Sequence, residues 1–206
     1  MEKHYRRRCY AAVVENTGIF IVYRTVMKVQ GNPKVALIIL NKDHGEDLEK
    51  CVVSIEEKTD YPNYEIIVVE NNSELPETFA FYEELQRRYS NVKVVTWDGP
   101  FNYSAINNYG AEYATGDYYL MLNNDIEVIS PGWMSEMLGY CQREDVGIVG
   151  AKLYYSDDTV QHAGVVVGVG GFAGHVLTRF RKGETGYFGR LVTIQDTSPV
   201  TAACLM

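Results

Sequence analysis

The sequence predicts an α/β domain built on a mostly parallel sheet, and three observations predict it. Apolar runs of strand length alternate with amphipathic runs of helix length, the order expected of βαβ units. The first clear run, VALIIL at 35–40, is apolar at every position, as a strand covered on both faces would be. Each of the four main apolar runs ends in a polar cluster: NKDH, ENNS, WDGPFN and NNDIEV. Parallel strands put their carboxyl ends on one edge of the sheet, where open α/β sheets bind ligands.

The elements follow in order. Residues 1–31 read as an N-terminal extension: the apolar stretch GIFIVYRTVMKV forms a strand or hairpin and closes at the turn signal QGNPK. The main domain then occupies 32–206. After VALIIL, residues 46–58 carry Leu48, Cys51, Val52 and Ile55 on one helical stripe. YPNYEIIVVE returns to strand, FAFYEELQRRY reads as helix and VKVVTW as strand. YSAINNYGAEYA is the next helix, with Asn102 as its N-cap. GDYYLML is a strand, and PGWMSEMLGYCQRE is a helix with Pro131 near its start. VGIVGAKLYY is apolar again, and beyond Tyr155 a long glycine-rich stretch predicts irregular structure with short strands. Loops of that length tend to be functional or mobile. The sequence closes on SPVTAACLM, a strand-like run, which reads as a domain cut short.

Composition narrows the classes. The 206 residues carry a formal net charge of -8, which argues against nucleic acid as main partner, because phosphate binding needs a basic face. The one basic cluster, Arg6-Arg7-Arg8, reads as a solvated terminus with only a weak membrane-surface signal. Cys9, Cys51, Cys141 and Cys204 lie far apart without C-x-x-C spacing, so reduced thiols are the default over a zinc site or disulfide framework. No apolar run reaches the roughly 18 residues needed to span a bilayer, and the N-terminus lacks the apolar core of a signal peptide.

The polar strand ends admit few chemistries. There is no G-x-x-x-x-G-K-[ST] run, which excludes a P-loop NTPase. GVGGFA at 168–173 fits G-x-G-x-x-A, but it neither follows the first strand nor opens a helix, so it does not make a dinucleotide site. Asn123, Asn124, Asp125 and Glu127 offer a cation only oxygen ligands. Hard cations such as Mg²⁺ or Mn²⁺ favour that set, often with one or two carboxylates and substrate phosphates. A cation held there against a diphosphate would act as a Lewis acid on the leaving group.

From Pro33 onward the chain resembles the family 2 glycosyltransferases of the GT-A fold. The pieces that carry the resemblance are PKVALIILNKDH, YPNYEIIVVENNS, FNYSAINNYGAEYATGDYYLMLNNDIEV with PGWMSEML, QHAGVVVGVGGFAGH and TAACLM. They recur in bacterial enzymes of surface-polysaccharide synthesis, rhamnosyltransferase-like members included. The resemblance implies a Rossmann-like, mostly parallel sheet and a nucleotide-diphosphate sugar donor, UDP- or dTDP-linked. It implies transfer with inversion to a glycan or lipid-linked acceptor. It also implies a cytoplasmic protein, with peripheral association at the inner face of the cell membrane left open.

Residue by residue, the resemblance makes Asp125 the metal-binding aspartate of a D-x-D-like motif whose first position is Asn123. Asn124 is expected beside the ribose or diphosphate. Glu70 stands where the family commonly has an aspartate bonded to the base. Leu40 and Asn41 flank the base, Asn108 faces the donor, and His162 and His175 lie in the segment near the donor sugar and acceptor. The general base of inverting members usually follows the ACLM segment, so it is expected after Met206. Asp157, Asp158 and Asp196 do not match its motif. Two other readings compete. A sugar-phosphate nucleotidyltransferase would need a glycine-rich loop with a basic residue after the first strand, which NKDHGED does not supply. A non-catalytic nucleotide- or carbohydrate-binding module retaining the fold would be consistent with the single carboxylate at Asp125.

Overall fold

The computed structural model describes residues 1–206. Its elements run α1 (Glu2–Arg7), β1 (Ala12–Asn16), β2 (Tyr23–Met27), β3 (Val35–Asn41), α2 (Gly45–Lys58), β4 (Tyr64–Glu70), α3 (Pro76–Arg88), β5 (Val92–Thr96), α4 (Tyr103–Glu112), β6 (Tyr118–Asn123) and α5 (Trp133–Cys141). Five short strands follow: β7 (Leu153–Tyr154), β8 (Val160–His162), β9 (Val165–Val167), β10 (Ala173–His175) and β11 (Cys204–Leu205). The chain falls into two compact units. A sheet unit comprises Gly31–Ser135, Ala202–Cys204 and Met206, and a hairpin unit comprises Met1–Gln30, Glu136–Thr201 and Leu205.

The sheet unit is built on five strands in the order β11-β6-β3-β4-β5, with β3 parallel to both β4 and β6, and β4 parallel to β5. Its α/β character is the one that the alternation of runs predicts. In β3, Val35, Ala36, Leu37, Ile38 and Ile39 are all buried, so side chains of both parities are covered and both faces of the strand are closed. Each of the Val, Leu and Ile side chains among them contributes about 1.5–3 kcal/mol through burial. The predicted stripe of α2 is buried as Leu48, Cys51, Val52 and Ile55. On α4, Ile106 joins Ile38, Ile67, Val69 and Val95 in one apolar cluster. Gly110 lets that helix approach the sheet: a Cβ there would lie 2.7 Å from Val69 Cγ2 and 2.8 Å from Ile38 Cγ2.

Helix starts near the strand ends are fixed by polar side chains. Asn102 caps α4, its Oδ1 accepting from the Ala105 amide at 3.0 Å as the sequence predicts. Asp43 accepts from the Glu74 and Leu75 amides and the Thr78 hydroxyl, which anchors the start of α3. The helix expected over PGWMSEMLGYCQRE is shorter, beginning two residues after Pro131, because residues 130–133 form a turn closed by Trp133 N–H to Ser130 O.

In the hairpin unit β1 and β2 pair antiparallel from Ala12↔Met27 to Asn16↔Tyr23. Only residues 23–27 of GIFIVYRTVMKV enter the ladder. Asn16 and Thr17 turn the chain first, with Gly18 N–H donating to Asn16 Oδ1, Ile19 N–H to Thr17 Oγ1, and the Thr17 hydroxyl to Val22 O. Tyr140 donates to Thr25 O at 2.6 Å, and Arg24 pairs with Glu136 at 2.6 Å. From Leu153 onward the chain forms two small antiparallel ribbons, β7–β8 and β9–β10.

Candidate active site at the strand ends

Parallel register sets the site. Asn41 pairs with Glu70, Glu70 with Thr96, and Leu40 with Asn123, so the polar ends of β3, β4, β5 and β6 stand side by side. They open into a cleft of about 340 Å³ lined by Leu40, Asn41, Lys42, Asn71, Asn72 and Phe101. Leu40 and Asn41, which the sequence reading expects to flank a base, both line this cleft. Lys42, Asn71, Asn72 and Phe101 were not singled out by it.

Beneath the cleft lies a chain of buried polar groups. Asn41, 3% exposed, donates from Nδ2 to the Tyr82 hydroxyl at 2.8 Å, and its Oδ1 accepts from Asn124 Nδ2 at 2.6 Å. Its carbonyl accepts from the Asn71 amide. One side chain therefore ties the end of β3 to α3 and to the loop after β6. Glu70 is 2% exposed, and its Oε1 accepts from the Ser73 amide at 2.5 Å. Asn71 and Asn72 both donate from Nδ2 to Gly99 O, at 3.3 and 2.9 Å, which fixes the loop carrying Phe101.

After β6 the chain leaves the core abruptly. Asn123 is exposed; its amide donates to Ala203 O, and its carbonyl lies 3.8 Å from the Cys51 thiol. Burial, with Asp125 nearby, pushes that thiol up to about 12, so Cys51 acts as a packed apolar residue. Asp125 and Glu127 are exposed, and neither forms an ion pair with a basic side chain. No group of three or more His, Cys, Asp or Glu side chains is placed to hold a metal ion. The donor set fits a hard cation with one carboxylate and oxygens from a bound diphosphate, and does not form an all-protein cage.

On α4 the structure distinguishes two neighbours. Asn108 is exposed, while Asn107 is buried, donates to Tyr103 O at 2.8 Å and leaves its Oδ1 without a partner. The signal was present in the sequence: Ile106 and Gly110, four apart, set the buried face, and position 108 lies about 200° from both. In the hairpin unit, His162 and His175 meet Nδ1 to Nδ1 at 2.9 Å with rings nearly perpendicular. Burial, reinforced by His175, lowers His162 to about 4 and keeps it neutral. The pair is brought together by β8 and β10 rather than by sequence proximity.

A mostly parallel sheet with a polar cleft at its strand ends, a buried carboxylate on one side and an exposed aspartate on the other has the architecture of an open α/β domain that binds its ligand at the carboxyl edge of the sheet. Residues 35–196 match the glycosyl transferase family 2 domain, and the chain belongs to that family. It is 42% identical over its whole length to the O-antigen biosynthesis protein RfbC of Myxococcus xanthus. It is also 42% identical to the uncharacterized protein y4gI of Sinorhizobium fredii (strain NBRC 101917 / NGR234). The chain spans 16% and 23% of those two relatives. Among solved structures, it resembles the mannosyltransferase PcManGT from Pyrobaculum calidifontis in complex with GDP-Man and Mn²⁺. The TM-score is 0.55 at 16% identity, over 76% of this chain and 42% of that one. That likeness shows the GT-A fold.

Proposed function

We propose that this chain is the donor-binding domain of an inverting glycosyltransferase of bacterial cell-surface polysaccharide synthesis, acting on a glycan or lipid-linked acceptor in the cytoplasm. The observation that carries the reading is the shared edge of Asn41, Glu70 and Asn123 above one buried polar network, in a chain of family 2. We take residues 32–206 as the glycosyltransferase domain and 1–31 as its extension. In the cleft, Leu40 and Phe101 offer apolar surface to a base, and Lys42 offers a cation to phosphate. The Ser73 amide holds Oε1 of Glu70, and the carboxylate keeps further lone pairs to accept an N–H from a base. The donor is taken as UDP- or dTDP-linked from the family resemblance.

Asp125 would hold Mg²⁺ or Mn²⁺, which supplies Lewis-acid stabilisation of the leaving diphosphate when bound. Asn124, fixed by Asn41, orients the loop so that the Asp125 carboxylate is presented from a settled backbone. His162 and His175 are read as sugar- or acceptor-side groups, and no residue of the chain is assigned as the general base.

Calorimetric titration of UDP and dTDP, each with and without Mn²⁺, tests the reading. Binding should require the metal, and Asp125→Ala should weaken it at least tenfold, the loss of one charged ligand costing about 1.4 kcal/mol or more. Binding that ignores both metal and Asp125→Ala would favour the non-catalytic module. No binding to a folded chain would overturn the donor site.

A further inference from the structure

The hairpin unit carries two turns whose apolar side chains are largely exposed to water. At the tip of the β1–β2 hairpin, Phe20 is 87% and Ile21 77% exposed; at the turn Tyr187–Gly189, Phe188 is 89% exposed. The two turns are neighbours, since a Cβ on Gly189 would lie 3.8 Å from Val22 Cγ2. Ile21 and Phe188 have φ of 58° and 50°, a left-handed conformation that such residues rarely adopt. Strained backbone that aims apolar groups at water is kept where those groups have a use.

We propose that these two turns dock the hairpin unit on an anionic lipid surface. Four features select that occupant. The turns contain no acidic residue: residues 16–23 are uncharged, and residues 185–190 carry only Arg190. The unit as a whole holds 12 Lys and Arg against 9 Asp and Glu, whereas the sheet unit holds 7 against 18. The unit that carries the turns thus also holds the cationic balance. The tip also satisfies much of its own backbone: Gly18, Ile19 and Val22 N–H groups and the Val22 carbonyl are bonded within residues 16–22, as entry into a low-dielectric interface requires. Tyr23 and Tyr187 beside the apolar residues suit the headgroup level, where aromatic rings with a polar tip collect. A second protein molecule would want a broad continuous patch of about 800 Å² per partner, and two protruding turns do not make one.

The inference stands apart from the nucleotide reading, and its test does not involve nucleotide. The whole chain is sedimented with vesicles of phosphatidylcholine alone and of phosphatidylcholine with phosphatidylglycerol. Association with the second, weakening as salt is added, is expected. Phe20→Ser combined with Phe188→Ser should reduce the partition coefficient about tenfold per ring, about 100-fold in all. Phe20→Trp provides a readout in an otherwise intact turn, with emission shifting to the blue on the anionic vesicles. No association with either vesicle would overturn the proposal, as would association that the double serine variant leaves unchanged. So would self-association of the wild type, without lipid, that the double variant abolishes.

Discussion

Replacing Asn41 by leucine tests whether one buried amide organises the strand ends. The substitution keeps the size of the side chain and removes both of its hydrogen bonds, to the Tyr82 hydroxyl at 2.8 Å and from Asn124 Nδ2 at 2.6 Å. Tyr82 retains only a 3.5 Å contact with Ser73 Oγ, and Asn124, half-buried, reaches water in part. Two weakened polar groups at about 1–2 kcal/mol each, less about 1 kcal/mol returned by the apolar side chain, give a net loss of about 2 kcal/mol. Urea unfolding followed by tryptophan fluorescence reads it locally, because Trp97 and Trp133 both belong to the sheet unit. With a slope of about 2 kcal/mol/M, the midpoint should fall by about 1 M. Tyr82→Phe alone strands Asn41 Nδ2, which is buried, and should cost about 1–2 kcal/mol. In the double variant that group no longer exists, so the two costs should fail to add by about 1 kcal/mol. Additive costs, or a leucine variant as stable as the wild type, would refute the network.

Acid should loosen the ribbons that hold the histidine pair. His162 is lowered to about 4 from an ordinary 6.5 by burial and by His175, so the unfolded chain binds the extra proton between those values. Stability is then full above pH 6.5 and lost as pH falls towards 4, on the order of 3 kcal/mol in all. Hydrogen exchange over residues 160–176 should show protection dropping from pH 7 to pH 5, and His162→Asn should flatten the drop; equal drops would sink the argument. Gly139→Ala places a methyl group against the carbonyl oxygen of Met27, so α5 must move off β2. Overpacking of about 1–3 kcal/mol exceeds the roughly 1 kcal/mol gained in helix propensity, and melting should fall by about 2–6 °C. A higher melting temperature would contradict that contact.

The sheet was legible because its signals are local. VALIIL and IIVV are apolar at consecutive positions, as a strand covered on both faces requires, and the Asn102 cap needs only its own helix. The strand-end cluster was legible as a consequence of parallel order. What could not be read were features that depend on distant partners. The bond between Asn41 and Asn124 spans 83 residues, and Phe101 reaches the cleft only because Gly99 O holds Asn71 and Asn72. The helix α1 escaped because EKHYRR has no apolar stripe to announce it. Of the strand or hairpin read over GIFIVYRTVMKV, the structure forms a hairpin, with its first strand upstream at Ala12–Asn16, because the side-chain turns of Asn16 and Thr17 outweigh the apolar pattern of residues 18–22. The burial of Asn107 was legible but missed, since the helical phase set by Ile106 and Gly110 decides it.

Both units are discontinuous in the chain, and this has a consequence for biosynthesis. Residues 1–30 find the rest of their unit only when residues from 136 onward have been made, and the sheet receives β11 only when residue 204 arrives. At a translation rate of about 5–20 residues per second, the N-terminal hairpin waits on the order of 5–20 s with its apolar side uncovered. During that interval its strands are open to pairing with other nascent chains, and the yield of folded protein should depend on how well a chaperone shelters them.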